Sequence, residues 1–444
     1  MIGWLLLAIE NMKQRLSIFA GVMTLWMFFG ILPFHTGLFL SSASSDAQNV
    51  SGLFDSKQLS EAIHLSAGYL LKRCDHVGKF LYRVNLNPDV TPEPKYNFLR
   101  HSGTIYALSE YTKTYPDAAA LQIIERAAVF LKKASIAPIP ERAMPVMPIP
   151  ERHDQLAVWS VPSITGSGKP VQAKLGGTGL GLVALLGLEQ IKPGTTSLDY
   201  LRRMGNFIVF MQKEDGSFYS KFYPHHGGKN DQWTSLYYPG EAALGLLMLY
   251  EKDPDPLWLQ SAANAIAYLA RLRADKSSVP ADHWALLATA RLLPLYDRCR
   301  QPVPRSSIVN HAIQICKSIL AAAPHFPANV LESGCLTNDG RTTPTAIRLE
   351  GLLAALTFLP GENNGLRRQI VATTEKGIDF LLKSQIKSGE HAGAIPRAVI
   401  VLPEDNPQFS KSFNERVTEV RIDYVQHALS AMLQYQQLFF QKRP

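Results

Sequence analysis

The stretch RIDYVQHALSAML, from Arg421 to Leu433, sets Asp423 and His427 four residues apart, so a helix there carries both on one face. A carboxylate that orients an imidazole and stabilises its charged form is an arrangement for proton transfer. Tyr424 lies beside them and offers a second proton donor or acceptor. Far upstream, RHSGTIYAL supplies Arg100 and His101. If the two stretches pack together, Arg100, His101, Asp423, Tyr424 and His427 meet across one seam, with Asp423 orienting the histidines. The same groups would also make a satisfied polar seam that merely closes a fold, and the sequence leaves both readings open.

A second candidate rests on carboxylates. In LYYPGEAALGLLMLYEK, Glu241 is the only early charge in a segment that then runs apolar for three turns. ADHWALLATA brings Asp282 beside His283 and Trp284. Two carboxylates on adjacent helices could flank a glycosidic bond, with Glu241 as base or nucleophile and Asp282 as acid. A first-turn position lowers a carboxylate pKa through the helix dipole, which suits that role for Glu241. Both have plainer uses: Glu241 complements the dipole, and Asp282, following Ser277, Ser278 and Pro280, can cap its helix.

Binding groups surround these candidates. Arg341, Arg348, Arg397 and Arg421, with Lys174, would form a cationic rim suited to carboxylate or sulfate groups. Arg348 and Glu350 are two apart and cannot share a helix face, so one of them points inward. Trp159, Tyr219, Trp233, Tyr237, Tyr238 and Trp284 suit stacking on sugar rings or on an apolar chain. His225 and His226 with Asp231 are too closely spaced to aim at one ion, so no metal site is expected. KLGGTGLGL follows coil rather than a strand and does not match a dinucleotide fingerprint, so no cofactor is expected either.

The elements that position these residues are helices of two alternating kinds. Six segments, starting near Ser60, Ala118, Ser197, Pro256, Ser306 and Leu366, carry charges on one face and read as outward-facing. Six others, from Arg100, Leu175, Tyr237, Ala281, Thr345 and Arg421, are small, Gly/Ala/Leu-rich and nearly uncharged after their first turn. A helix apolar nearly all round is a buried one. Links from the second kind to the first are short, whereas links from the first to the second are long. The irregular chain therefore gathers over one end of the scaffold, where binding and catalysis tend to sit.

A ring of six inner helices sheathed by six outer ones resembles the alpha-alpha toroid superfamily of six-hairpin glycosidases, polysaccharide lyases, uronyl epimerases, terpene cyclases and protein prenyltransferases. The resemblance covers residues 55 to 440 as architecture. GNFIVFMQKEDGSFY is more specific: Gly205, Gln212, Gly216 and Phe218 fall as in the repeat of terpene-cyclase-like toroids, with weaker echoes in GYLLKRCDHVGKF and GIDFLLKSQIKSGEH. The Asp-x-Asp-Asp motif of triterpene cyclases and the Cys/Cys-His zinc set of prenyltransferases are missing, so those chemistries do not carry over. The fold expected is an all-α toroid of six helical hairpins, with long loops and short strands on one face. The resemblance implies a carbohydrate-active enzyme, a hydrolase, lyase or epimerase; the N-terminal segment adds export, and the positive charge an anionic polysaccharide or oligosaccharide as substrate. A non-catalytic toroid that binds cell-envelope glycan or a partner protein is the alternative, and a terpene- or lipid-handling toroid is the second.

Composition sets the bounds on these readings. A chain of 444 residues with 46% hydrophobic and 18% charged residues can bury a large core. The net charge of +8 favours anionic partners, yet no Lys/Arg run or basic stripe points to nucleic acid. Leu16 to Leu40 holds no Asp, Glu, Lys or Arg, follows Lys13 and Arg15, and ends in SSASSDA. Residues 1–48 therefore read as a cleaved signal peptide or a membrane anchor, and 49–444 as the toroid, in a periplasmic or extracellular location. The four cysteines lack CxxC spacing; Cys316 with Cys335 is the first candidate disulfide, and Cys74 is expected to be unpaired.

Overall fold

Helices form where the apolar period predicts them in the computed structural model, which describes residues 52–140 and 154–441. The first six long helices are α1 (Ser56–Lys72), α2 (Phe98–Thr114), α3 (Ala118–Ser135), α4 (Leu175–Ile191), α5 (Leu198–Phe210) and α6 (Tyr238–Lys252). The other six are α7 (Pro256–Arg273), α8 (His283–Leu292), α9 (Arg305–Ala321), α10 (Thr342–Leu356), α11 (Asn364–Ser384) and α12 (Ile422–Phe439). The signal or anchor expected over 1–48 lies outside the described residues. Among the described residues no helix is long and apolar enough to cross a membrane.

The even-numbered helices contact one another in chain order, from α2 through α4, α6, α8 and α10 to α12, and α12 returns to α2. Each odd-numbered helix packs against two successive even ones. Burial follows that order. In α4 every residue from Leu175 to Glu189 is buried, whereas α1 and α5 bury only one stripe. Side-chain caps occur in both sets: Asp55, Asp117, Ser197 and Asp255 accept a backbone N–H at the start of α1, α3, α5 and α7, and Asn97 and Asp282 do so at α2 and α8. By contrast α4, α6, α10 and α12 begin without a side-chain cap, and Lys174, Arg341 and Arg421 occupy three of those cap positions.

The links ahead of α2, α4, α6 and α12 carry short strands. Strand β1 (Arg83–Asn85) pairs with β7 (Glu419–Arg421), which runs straight into α12. A five-stranded antiparallel sheet has the order β2 (Ile136–Pro138), β3 (Leu156–Ser160), β4 (Gln172–Lys174), β5 (Lys221–Tyr223) and β6 (Gly228–Asn230). Strands β2 and β3 pair with Ile136 opposite Val158. Cys74, Cys299, Cys316 and Cys335 are all free thiols, so the expected Cys316–Cys335 bridge is not formed. Cys335 Sγ is instead occupied by the carbonyl of Thr337, at 3.3 Å.

The Gln-Gly repeat joins neighbouring outer helices. Gln212, just past α5, donates to the carbonyl of Ser261 on α7, and Gly216 turns with φ 90° against the carbonyl of Asn264. After α11 the pattern is offset: Gln385 of the echo donates to the carbonyl of Ala62 on α1, but the close turn falls at Gly393, φ 90°, beyond the echo's own Gly389. A Cβ on Gly393 would lie 1.9 Å from the carbonyl oxygen of Leu65, which belongs to the helix backbone and cannot step aside. Gly393→Ala is therefore expected to cost on the order of 3 kcal/mol, from left-handed strain plus the clash, as read by urea unfolding.

Candidate functional site

All six even helices send first-turn or second-turn residues into one cavity of about 530 Å³. Arg100 and Gly103 come from α2, Leu180 from α4, Tyr238 and Glu241 from α6, and His283 and Trp284 from α8. Thr343 and Ile347 come from α10, and Asp423, Tyr424, Gln426 and His427 from α12. Trp233, Tyr237, Arg341, Arg397 and Arg416 from the loops, and Arg421 from the end of β7, also line the wall.

The seam between α2 and α12 brings together only some of the residues expected there. Arg100 Nε and Arg421 Nη2 each donate to Asp423 Oδ2 at 2.8 Å, while Arg421 Nε donates to Oδ1. Burial works against ionisation of Asp423, but the two guanidinium groups outweigh it and hold the carboxyl well below the usual range. Asp423 does not orient a histidine, because two permanent cations occupy both of its oxygens. His101 does not join the seam either. Positions 100 and 101 lie about 100° apart around a helix, so with Arg100 facing the cavity His101 faces α3. Its Nε2 donates to the carbonyl of Ala127 at 2.9 Å, Nδ1 accepts from the Tyr96 hydroxyl at 2.7 Å, and burial lowers its pKa to about 4. Tyr424 lines the cavity, yet its hydroxyl donates to Glu419 Oε1 at 2.9 Å, and Glu419 is also held by Arg416 and Arg83.

The partner of His427 comes from the neighbouring helix. Glu350 Oε1 on α10 lies 2.7 Å from His427 Nδ1, an ion pair whenever the imidazole is protonated. Burial raises the Glu350 pKa and the nearby imidazole opposes that rise. Glu350 is thus the inward member of the Arg348–Glu350 pair; Arg348 donates to the carbonyl of Leu336 and is not part of the cavity wall. His283 is 1% exposed, packed among the rings of Tyr237, Trp284 and His427, and neither of its ring nitrogens has a hydrogen-bond partner. Burial first, and then His427, pushes its pKa well below the ordinary value.

The carboxylate pair does not assemble. Asp282 accepts from Ala285 N at 3.1 Å as the α8 cap and from Arg273 Nη2 at 2.8 Å, fully buried and outside the cavity wall. Glu241 does face the cavity, but its pKa moves opposite to expectation. Burial, and secondarily the charge of Asp282, push it up to about 8, so the group is a proton donor at neutral pH. Its Oε2 has no hydrogen-bond partner and lies where a Cβ on Gly176 would come within 1.9 Å, so α4 leaves room for it only through glycine.

That shift has a consequence for stability. The folded state keeps a proton that the unfolded chain releases near pH 4, so Glu241 costs stability as pH rises from about 4 to about 8, and the loss is complete above that. Glu241→Gln is expected to be more stable than the native chain above about pH 8, by on the order of 3 kcal/mol, and to lose the advantage near pH 4. Urea titrations at the two ends of that range measure the difference.

Arg416 is a cavity residue that the sequence does not single out, because it stands in a loop ahead of β7 with no periodic context. The rim cations are also more engaged than their sequence positions imply. Arg341 donates to Asp339 at 2.5 Å, and Arg416 to Glu419 at 2.7 Å. Arg397 donates to the carbonyl of Phe413 at 3.1 Å. Lys174, Trp159 and Tyr219 are not in the cavity wall.

A closed succession of inner helices that presents one polar cavity at its N-terminal ends is the alpha-alpha toroid fold. Solved structures show the same fold. A cellobiose 2-epimerase from Bacillus thermoamylovorans is 13% identical, covers 85% of this chain and 99% of its own, and has a TM-score of 0.58. An alpha-1,6-mannanase from a Salegentibacter species is 12% identical over 89% of this chain and 99% of its own, at a TM-score of 0.53. A glycosyl hydrolase of family 88 from Bacteroides vulgatus is 15% identical over 87% of this chain and 100% of its own, with a TM-score of 0.53. No family profile matches the chain, and no curated protein matches it in sequence.

Proposed function

We propose that this six-hairpin toroid, its loops and strands gathered over one face, is a carbohydrate-active enzyme that removes a proton beside the carboxylate of an acidic saccharide. The observation that carries the reading is the His427–Glu350 pair opening onto a cavity walled by Arg100, Arg341, Arg397, Arg416 and Arg421. The carboxylates in that wall are Asp423, already engaged, and Glu241, protonated at neutral pH. A carboxylate bound by arginines loses most of its charge, so the adjacent C–H becomes acidic, and the same arginines stabilise the enediolate that follows. His427 takes the proton and Glu350 stabilises the imidazolium. Glu241 then gives its proton either to the opposite face of the carbon, which is epimerisation, or to the departing oxygen, which is elimination.

Hydrolysis fits less well, because Asp282 is out of reach and both oxygens of Asp423 are taken. Five arginines in the wall also disfavour a terpene or lipid ligand. The similar folds named for mannan, cellobiose and other saccharides favour a sugar. Export by residues 1–48, with or without a retained membrane anchor, belongs to this reading and rests on the uncharged stretch Leu16 to Leu40. The test is incubation of the protein in deuterated water with neutral and acidic polysaccharides. Deuterium at the carbon next to the carboxylate, or unsaturated products, from acidic polymers alone is the expected result. New reducing ends without either would make it a hydrolase, and binding with none of the three would make it a binding module.

A further inference from the structure

We propose that His283, Glu350 and His427 form a site for one divalent transition-metal ion in the wall of the cavity. The three residues sit on α8, α10 and α12, successive helices that touch in that order, so helix packing fixes their spacing. One ligand atom from each lies within 4.8 Å of the others. Gly351, next to Glu350, makes the close approach possible, since a Cβ there would stand 3.1 Å from the Cβ of His283.

The second observation is His283 itself. A buried imidazole ordinarily bonds through at least one nitrogen. His101 does so with Tyr96 and Ala127, and His311 does so with Arg273. His283, equally buried, uses neither nitrogen, and Tyr237 and Trp284 pack its ring in place. A fixed nitrogen lone pair beside a second imidazole and a carboxylate is what a metal ion of the zinc, cobalt or iron class selects; calcium and magnesium prefer all-oxygen sets. Three protein ligands leave coordination positions open, and His283 and His427 both face the cavity, where a saccharide oxygen would meet the ion.

This site goes beyond the acid–base reading and does not rest on it. The two readings meet at His427, whose lone pair cannot hold a metal and accept a proton at once, so metal is expected to inhibit proton transfer. The test is titration of the chelator-stripped protein with Co²⁺. One equivalent should bind with visible d–d absorption and no thiolate charge-transfer band, and Zn²⁺ should displace it. His283→Ala, the space-filling His283→Gln and Glu350→Gln should each weaken binding by at least about tenfold. His311→Gln should leave it unchanged. No stoichiometric binding, a thiolate band, or affinity indifferent to both His283 variants would overturn the site. Because the readout is metal binding, its failure leaves the proton-transfer assay standing, and the reverse.

Discussion

Replacing His427 by alanine is expected to lower turnover on an acidic saccharide by about 10²–10⁴-fold, the range for a positioned general base. That corresponds to about 3–5 kcal/mol of lost transition-state stabilisation. Affinity for the saccharide should stay within a few-fold, because the arginines that hold its carboxylate come from α2, from the loops and from the start of α12 rather than from His427. Glu350→Gln should show a smaller loss with an altered pH profile, since a neutral amide keeps the contact at Nδ1 but no longer stabilises the imidazolium. A binding module would behave differently: affinity would fall in proportion to the contacts removed, with no turnover to lose. Both variants are measured with chelator present, so that metal at His427 does not enter the comparison.

The scaffold was legible because periodicity and charge report burial directly. Segments such as Leu175–Ile191, apolar on every face, can only be inner helices, and those with a charged stripe can only be outer ones. The meeting of Arg100 with Asp423 follows from closing that succession on itself. The chemistry was less legible for three physical reasons. Spacing along one helix pairs Asp423 with His427, whereas the actual partner of His427 is Glu350, 77 residues away on another helix. Neighbouring positions on a helix diverge, so Arg100 faces the cavity and His101 does not. The third reason is magnitude. The helix dipole is worth about 0.3–1 kcal/mol to a first-turn carboxylate, whereas full burial shifts a carboxyl pKa by up to about 3–5 units. Burial therefore wins at Glu241, and a sequence shows the dipole but not the depth.

Asp423→Asn is expected to destabilise the fold by about 3 kcal/mol, because it leaves two guanidinium groups in a buried seam without their counter-charge. The side chains of Asp423 and Arg421 are 6% and 15% exposed, while that of Arg100 is 34% exposed, so water at Arg100 holds the loss to the lower end of what breaking a buried pair costs. The pH dependence follows from the depressed carboxyl of Asp423. Its contribution is fully present above the unfolded-state value of about 4 and declines as pH falls below it. The native chain should therefore lose stability on acidification more steeply than the Asn variant, in urea titrations from about pH 6 downward. The variant also exposes what the arginines are for. With Asp423 neutralised, Arg100 and Arg421 become an unoccupied anion site beside Arg397 and Arg416. Added sulfate should then stabilise the Asn variant more than the native chain, through binding to the folded state alone. Sulfate that stabilises neither chain would mean that the arginines serve only to fasten α2 to α12, and the carboxylate-binding role assigned to them would fall.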